Sequence, residues 1–258
     1  MGRPSYIAAN LAEDAVITMS NADTVYPSEY AVDRNYEAPV GWSTDGSNWI
    51  EFDLTASLDC SALFWGNHNQ PQSGFTFTVK GGASANPSTV LHSPSWTEKG
   101  ILASWTQAAY RYIRVEFSST QPTLYPKPQT GEIVIGERVV LPRGVRFGER
   151  PHILQAGVFD RTNRGKRYPL ELHRLERREY TFRYTESEKA NFLTWWKALE
   201  GSLYPFVWVP VDGGAEALYM SIEEPGFLPN ELPEQAPEPV YEHKLALIEE
   251  GLGGAILR

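Results

Sequence analysis

The chain has 258 residues, a formal net charge of −9 at pH 7 and 41% hydrophobic side chains, enough for a core and, at roughly 100–200 residues per domain, for two domains. That acidic balance argues against a nucleic-acid surface, which needs clustered Lys and Arg, and the short basic run Arg174, Arg177, Arg178 is interrupted by Leu175 and Glu176. Cys60 is the only cysteine, so neither an intrachain disulfide nor a cysteine-based zinc cage can form.

In chain order, the opening residues Met1 to Asn10 lack the apolar core of a secretory signal, and no run of about 18 apolar residues follows anywhere, so no membrane insertion is expected. Trp49-Ile50-Glu51-Phe52-Asp53-Leu54 alternates, which predicts a half-buried strand with Ile50, Phe52 and Leu54 on one face. Cys60 to Trp65, Phe75 to Lys80, Ala109 to Phe117 and Glu132 to Ile135 continue the series, with Ile113, Val115 and Phe117 opposed to Arg114 and Glu116. Five strands with one apolar face each imply a sandwich or jelly roll.

The order Tyr26-Pro27, Ala31-Val32-Asp33, Gly41-Trp42-Ser43, Trp49 to Leu54, Arg111-Tyr112-Ile113-Arg114-Val115 and Gly131 to Ile135 resembles the discoidin, or coagulation factor 5/8 type C, pattern. The resemblance covers roughly residues 10 to 138 and implies a galactose-binding-like β-sandwich. The flanking cysteines of extracellular vertebrate members are absent, which brings the chain closer to microbial or viral versions.

The grammar changes near residue 140, and two domains, 1–138 and 139–258, are expected. Tyr168 to Glu176 and Arg178 to Tyr184 read as neighbouring strands, with Tyr180, Phe182 and Tyr184 on one face. Thr185-Glu186-Ser187-Glu188 then opens a helix as a capping box. Phe192, Trp195, Trp196 and Leu199 follow at i, i+3, i+4 and i+7, and Gly201 stands where a C-cap belongs, so a core-forming helix over 186–200 is expected. Tyr204 to Pro210 and Ala217 to Ile222 are further strands, a proline-rich arm with interleaved glutamates spans 223–240, and Tyr241 to Glu249 returns to strand alternation. The second domain is therefore expected as a small β-barrel or sheet with one α-helix, making the whole chain mainly β.

This second order resembles the small β-barrel modules of distal-tail and other minor tail proteins of long-tailed bacteriophages, over roughly residues 139 to 250. What the resemblance implies is a homo-oligomeric ring, hexamer or trimer, beneath the tail tube, with tail tube and tail hub proteins as neighbours and a carbohydrate-binding-like sandwich projecting outward. Long loops without structure of their own commonly find partners outside their domain. Pro225, Phe227, Leu228, Pro229 and Pro233 are the candidate oligomer contacts of the arm.

No catalytic constellation stands out. The five histidines form no H-x-x-x-H or H-E-x-x-H pattern, and no G-x-S-x-G elbow or P-loop spacing occurs. Sugar binding needs an aromatic face to stack on and planar polar groups to fork onto hydroxyls. Trp42, Trp65, His68, Asn69, Gln70 and Trp96 supply those types for a cell-surface glycan, with core packing the competing role for Trp42 and Trp65. Discoidin-like folds often hold a structural calcium, and Asp33 with Asn35 could supply oxygens; no other cofactor is expected. The reading is a non-enzymatic structural component of a phage tail tip, made in the host cytoplasm and located in the virion tail. The alternative is a stand-alone carbohydrate-binding module or the accessory part of a glycan-active enzyme.

Overall fold

The computed structural model describes residues 3–34, 39–44, 46–69, 75–92, 100–119, 127–141, 146–147, 152–161, 167–199, 204–211, 216–223, 230–232 and 239–250. These are mostly β. The strands are β1 (Ser5–Ile7), β2 (Val16–Met19), β3 (Val40–Gly41), β4 (Gly46–Gly66), β5 (Thr76–Gly82), β6 (Thr89–His92), β7 (Gly100–Ser119), β8 (Gln129–Thr130), β9 (Ile133–Gly136) and β10 (Val139–Val140). They continue with β11 (Arg146–Phe147), β12 (His152–Arg161), β13 (Arg167–Thr185), β14 (Phe206–Val209), β15 (Leu218–Ile222), β16 (Asn230–Leu232) and β17 (Val240–Glu249), and α1 (Glu186–Ala198) follows β13 directly. The chain forms two compact units, Met1–Gly144 with Pro205–Tyr219, and Val145–Tyr204 with Met220–Arg258, so the boundary falls inside β15.

In the first unit an antiparallel sheet runs β2-β4-β7-β5-β6, and β9 also pairs with β4. Alternation along β4 and β7 explains the burial. Ile50, Phe52 and Leu54 are buried, as are Ile113, Val115 and Phe117, while Arg114 and Glu116 keep partial exposure on the other face. Further along β4 both faces are covered. Leu63 and Trp65 join the core of Trp42, Phe77 and Ile133, whereas Ala62 and Phe64 join a second cluster with Ile7, Val134, Val207, Val209 and Tyr219. That two-sided burial is why Cys60 to Trp65 reads as a continuous apolar run instead of an alternating one. Each fully buried large side chain there contributes about 1.5–3 kcal/mol. Strand β1 pairs antiparallel with β10 on one edge and with β14 on the other, drawing 205–219 into this unit.

The second unit is organised on β13, a single strand of 19 residues. Sequence alternation suggests two strands, 168–176 and 178–184; the structure has one, because Glu176-Arg177-Arg178 carries no turn residue. Its first half pairs with β12, from Arg161↔Arg167 to His152↔Arg177, and its second half pairs with β17, from Arg177↔Ile248 to Thr185↔Val240. On its other edge β17 pairs with β15 and β16. Tyr180, Phe182 and Tyr184 are all buried, and α1 lays Phe192 and Trp195 on them: Tyr184 stacks on Phe192 at 4.4 Å, and Phe182 meets the same ring edge-on at 5.4 Å. The capping box forms, with the Thr185 N–H donating to Glu188 Oε2 at 2.9 Å, and α1 ends at Ala198.

Candidate functional site

Of the side chains nominated for sugar binding, Trp42, Trp65, His68 and Asn69 lie at one end of the first unit's sheet. Trp42 follows β3 and Trp65 lies near the end of β4; their rings stack with centroids 5.7 Å apart, and Phe117 meets Trp42 edge-on at 4.7 Å. Their exposures are 0% and 1%, so neither offers a ring face to solvent. The Trp42 indole N–H donates to the Trp49 carbonyl at 3.3 Å. His68 is buried and stacks on Phe75. Asn69 spends its amide on the neighbouring loop, donating to the Lys127 carbonyl at 2.8 Å and accepting from the Gln129 N–H at 2.9 Å. The structure thus brings Trp42 and Trp65 together inside the core and uses Asn69 as a loop pin. Gln70 and Trp96 lie outside the described residues.

Around this end the loops are tied to one another. The Thr130 hydroxyl donates to the Gly66 carbonyl at 2.7 Å, and Gly41 N–H reaches Tyr26 O at 3.2 Å. Asp23, buried, accepts from Lys127 Nζ at 2.7 Å and from the Val25 N–H at 2.8 Å, and the Lys127 hydrogen bond holds its carboxyl below the usual range. These ties hold the described loop residues in place before any ligand arrives.

Asp33, the carboxylate nominated for calcium, is exposed, and Asn35 lies outside the described residues. Sequence reasoning missed the nearby Glu132, which is fully buried. Its Oε1 accepts from Asn10 Nδ2 at 3.1 Å and its Oε2 from the Arg34 N–H at 3.0 Å. Burial first, and the charge of Asp33 second, push its carboxyl up to about 9, so it is protonated at neutral pH. Asn10 also donates to Ile133 O and accepts from the N–H groups of Ala12 and Ile135, so one side chain ties residues 10–12 to residues 132–135. Among the described residues no group of three or more His, Cys, Asp or Glu is placed to share an ion.

A second feature escaped the sequence. On the polar face of the sheet, Arg114 lies over the Trp49 ring at 4.0 Å and pairs with Glu116 at 3.1 Å, while Lys80 pairs with Glu116 at 2.6 Å. Arg111 and Asp53 form a bidentate pair at 2.9 and 3.0 Å, which holds the Asp53 carboxyl down to about 2. Cross-strand register aligns these groups: Glu51↔Arg114, Asp53↔Tyr112 and Lys80↔Arg114. The oligomer contacts nominated in the arm, Pro225, Phe227, Leu228, Pro229 and Pro233, lie outside the described residues.

No protein-family model and no curated protein sequence matches the chain. Solved structures are similar over about half of it. CpGH89CBM32-6 of Clostridium perfringens matches at 16% identity and a TM-score of 0.42, over 50% of this chain and 99% of that one. Chitosan-binding module 1 from the chitosanase/glucanase of Paenibacillus sp. IK-5 matches at 20% identity and 0.41, over 49% and 98%. The fucose-binding module SpX-3 of Streptococcus pneumoniae matches at 17% and 0.40, over 49% and 96%. These neighbours are discoidin-like carbohydrate-binding modules.

Proposed function

We propose that the chain is a non-catalytic assembly protein of a long-tailed phage tail tip, in which the second unit joins a closed ring and the sandwich decorates the particle, available to cell-surface glycans. The ring takes the symmetry of the tube it adjoins, because a contact that repeats around an axis closes only at that copy number. Tail tube and tail hub proteins are its neighbours in this reading.

The observation that carries the proposal is the β12–β13 ribbon. Residues 167–176 of β13 pair with β12, whereas β17 pairs with β13 only from Arg177 onward, so nine register pairs extend beyond the pairing with β17. A two-stranded ribbon is marginal in water by itself, and one of this length gains most from a surface outside its own unit.

Electron microscopy of intact particles labelled with an antibody against this chain tests the reading. Label confined to the tail tip supports it. Unlabelled particles, with the chain recovered only outside them, would remove it and leave glycan binding by the sandwich as the function to measure.

A further inference from the structure

Arg138, in the connection between β9 and β10, is held by three serines of the first unit. Its backbone N–H donates to Ser61 Oγ at 2.8 Å, its Nε to Ser5 Oγ at 2.8 Å and its Nη1 to Ser104 Oγ at 3.0 Å. The hydroxyls come from β4, β1 and β7, at 77, 133 and 34 positions from Arg138 in the sequence. The cluster is therefore a product of the fold, and no local turn makes it.

A serine hydroxyl has one donor and two acceptor sites. Each of these three oxygens accepts from Arg138, and among the described residues none of the three O–H groups has an acceptor. Ser5 is fully buried and Ser61 is 8% exposed, so bulk water does not readily supply one. A buried donor left unmade is costly. A hydroxyl that accepts from a guanidinium is also the stronger donor, since hydrogen bonds in a chain polarise one another.

Strand alternation places the cluster. Ser5 shares a face with Ile7 and Ser104 shares one with Leu102, and both apolar side chains pack in the cluster that contains Phe64. The guanidinium thus stands at an apolar rim, where an opposite charge is attracted more strongly than in water. The adjacent carboxylate, Glu137, is exposed, and its charge acts on Tyr6, which alternation turns to the opposite face from Ser5.

We propose that Ser5, Ser104 and Arg138 seat one tetrahedral oxyanion, a phosphate or sulfate group, with the two hydroxyls donating to its oxygens and the guanidinium supplying the opposite charge. Ser61 is a positioning residue that holds the Arg138 backbone. Access runs past Ser104 and Arg138, which are half-buried, and Ser5 closes the floor. The inference is independent of the ring reading.

Isothermal titration calorimetry of the full chain with inorganic phosphate, against sodium chloride of equal ionic strength, tests it. The wild type should bind phosphate saturably. S104A should bind about tenfold more weakly, the worth of one hydrogen bond to a charged group. R138Q should not bind, and R138K, which keeps the charge and loses the planar fork, should fall between them. R111Q removes an exposed guanidinium elsewhere on the unit and should bind as the wild type does. Circular dichroism verifies each fold, and S104A decides the question if R138Q does not fold. Sulfate, free or carried on dextran, separates the sources of the group. Tighter binding of the polymer per sulfate, lost in S104A, assigns the seat to a polyanion, and equal affinity assigns it to a free ion. A wild type without saturable binding of phosphate or sulfate, or S104A that binds as tightly as the wild type, would overturn the proposal.

Discussion

Trp42 stacks on Trp65 at 5.7 Å with 22° between the ring planes, and the pair is closed off from solvent. The contact ties the loop after β3 to the end of β4, with Phe117 packed against both rings. Trp42→Ala should therefore cost about 3–5 kcal/mol, the range for emptying an aromatic site in a core. The urea midpoint of the first unit's transition measures it. An unchanged midpoint would contradict the packing. It also follows that lost glycan binding in this variant would report damage to the core, so a sugar-contact assay needs other residues.

Glu132 makes stability depend on pH in an unusual direction. Its carboxyl is pushed up to about 9 in the folded chain, against an ordinary value of 4.5. Between those values the folded state holds a proton that the unfolded state has released, so stability falls as pH rises through the window. Glu132→Gln cannot ionise and lacks that component. At low pH the variant should lie about 1–3 kcal/mol below wild type, because one N–H loses its acceptor, and the gap should shrink as pH rises. Denaturation midpoints at about pH 5 and about pH 8.5 decide it, and parallel profiles would count against this role for Glu132.

Cys60 is buried in β4, and burial first, then the charge of Asp59, pushes its thiol up to about 12. The thiolate is the reactive species, so Cys60 should resist a disulfide reagent in the native protein. Reaction should appear only in denaturant, at the unfolding transition. Prompt stoichiometric labelling of the native chain would be the contrary result.

Legibility in the sequence follows how locally each feature is encoded. Ile50, Phe52 and Leu54, and likewise Tyr180, Phe182 and Tyr184, announce their faces because one side of the strand is buried and the other is not. Thr185 and Glu188 announce the helix start because both halves of the cap lie within four residues. Strand β12 did not show, since Gln155-Ala156-Gly157 breaks alternation where the pairing bulges. Strand β1 has three residues, too few for any period, and its place between β10 and β14 depends on partners far along the chain. The site was harder still. Asn69 looked like a free fork because its partners are backbone groups of Lys127 and Gln129, and the burial of Glu132 left no sign because its partner Asn10 lies 122 positions away. A buried polar side chain satisfied over such distances leaves no local pattern.

The assembly reading is tested most directly by counting. Quantitative mass spectrometry of purified particles should find this chain at a small, fixed number of copies per tail, far below the tube subunit and equal to a ring's symmetry. Absence from purified particles, or a copy number that varies from one preparation to the next, would contradict it.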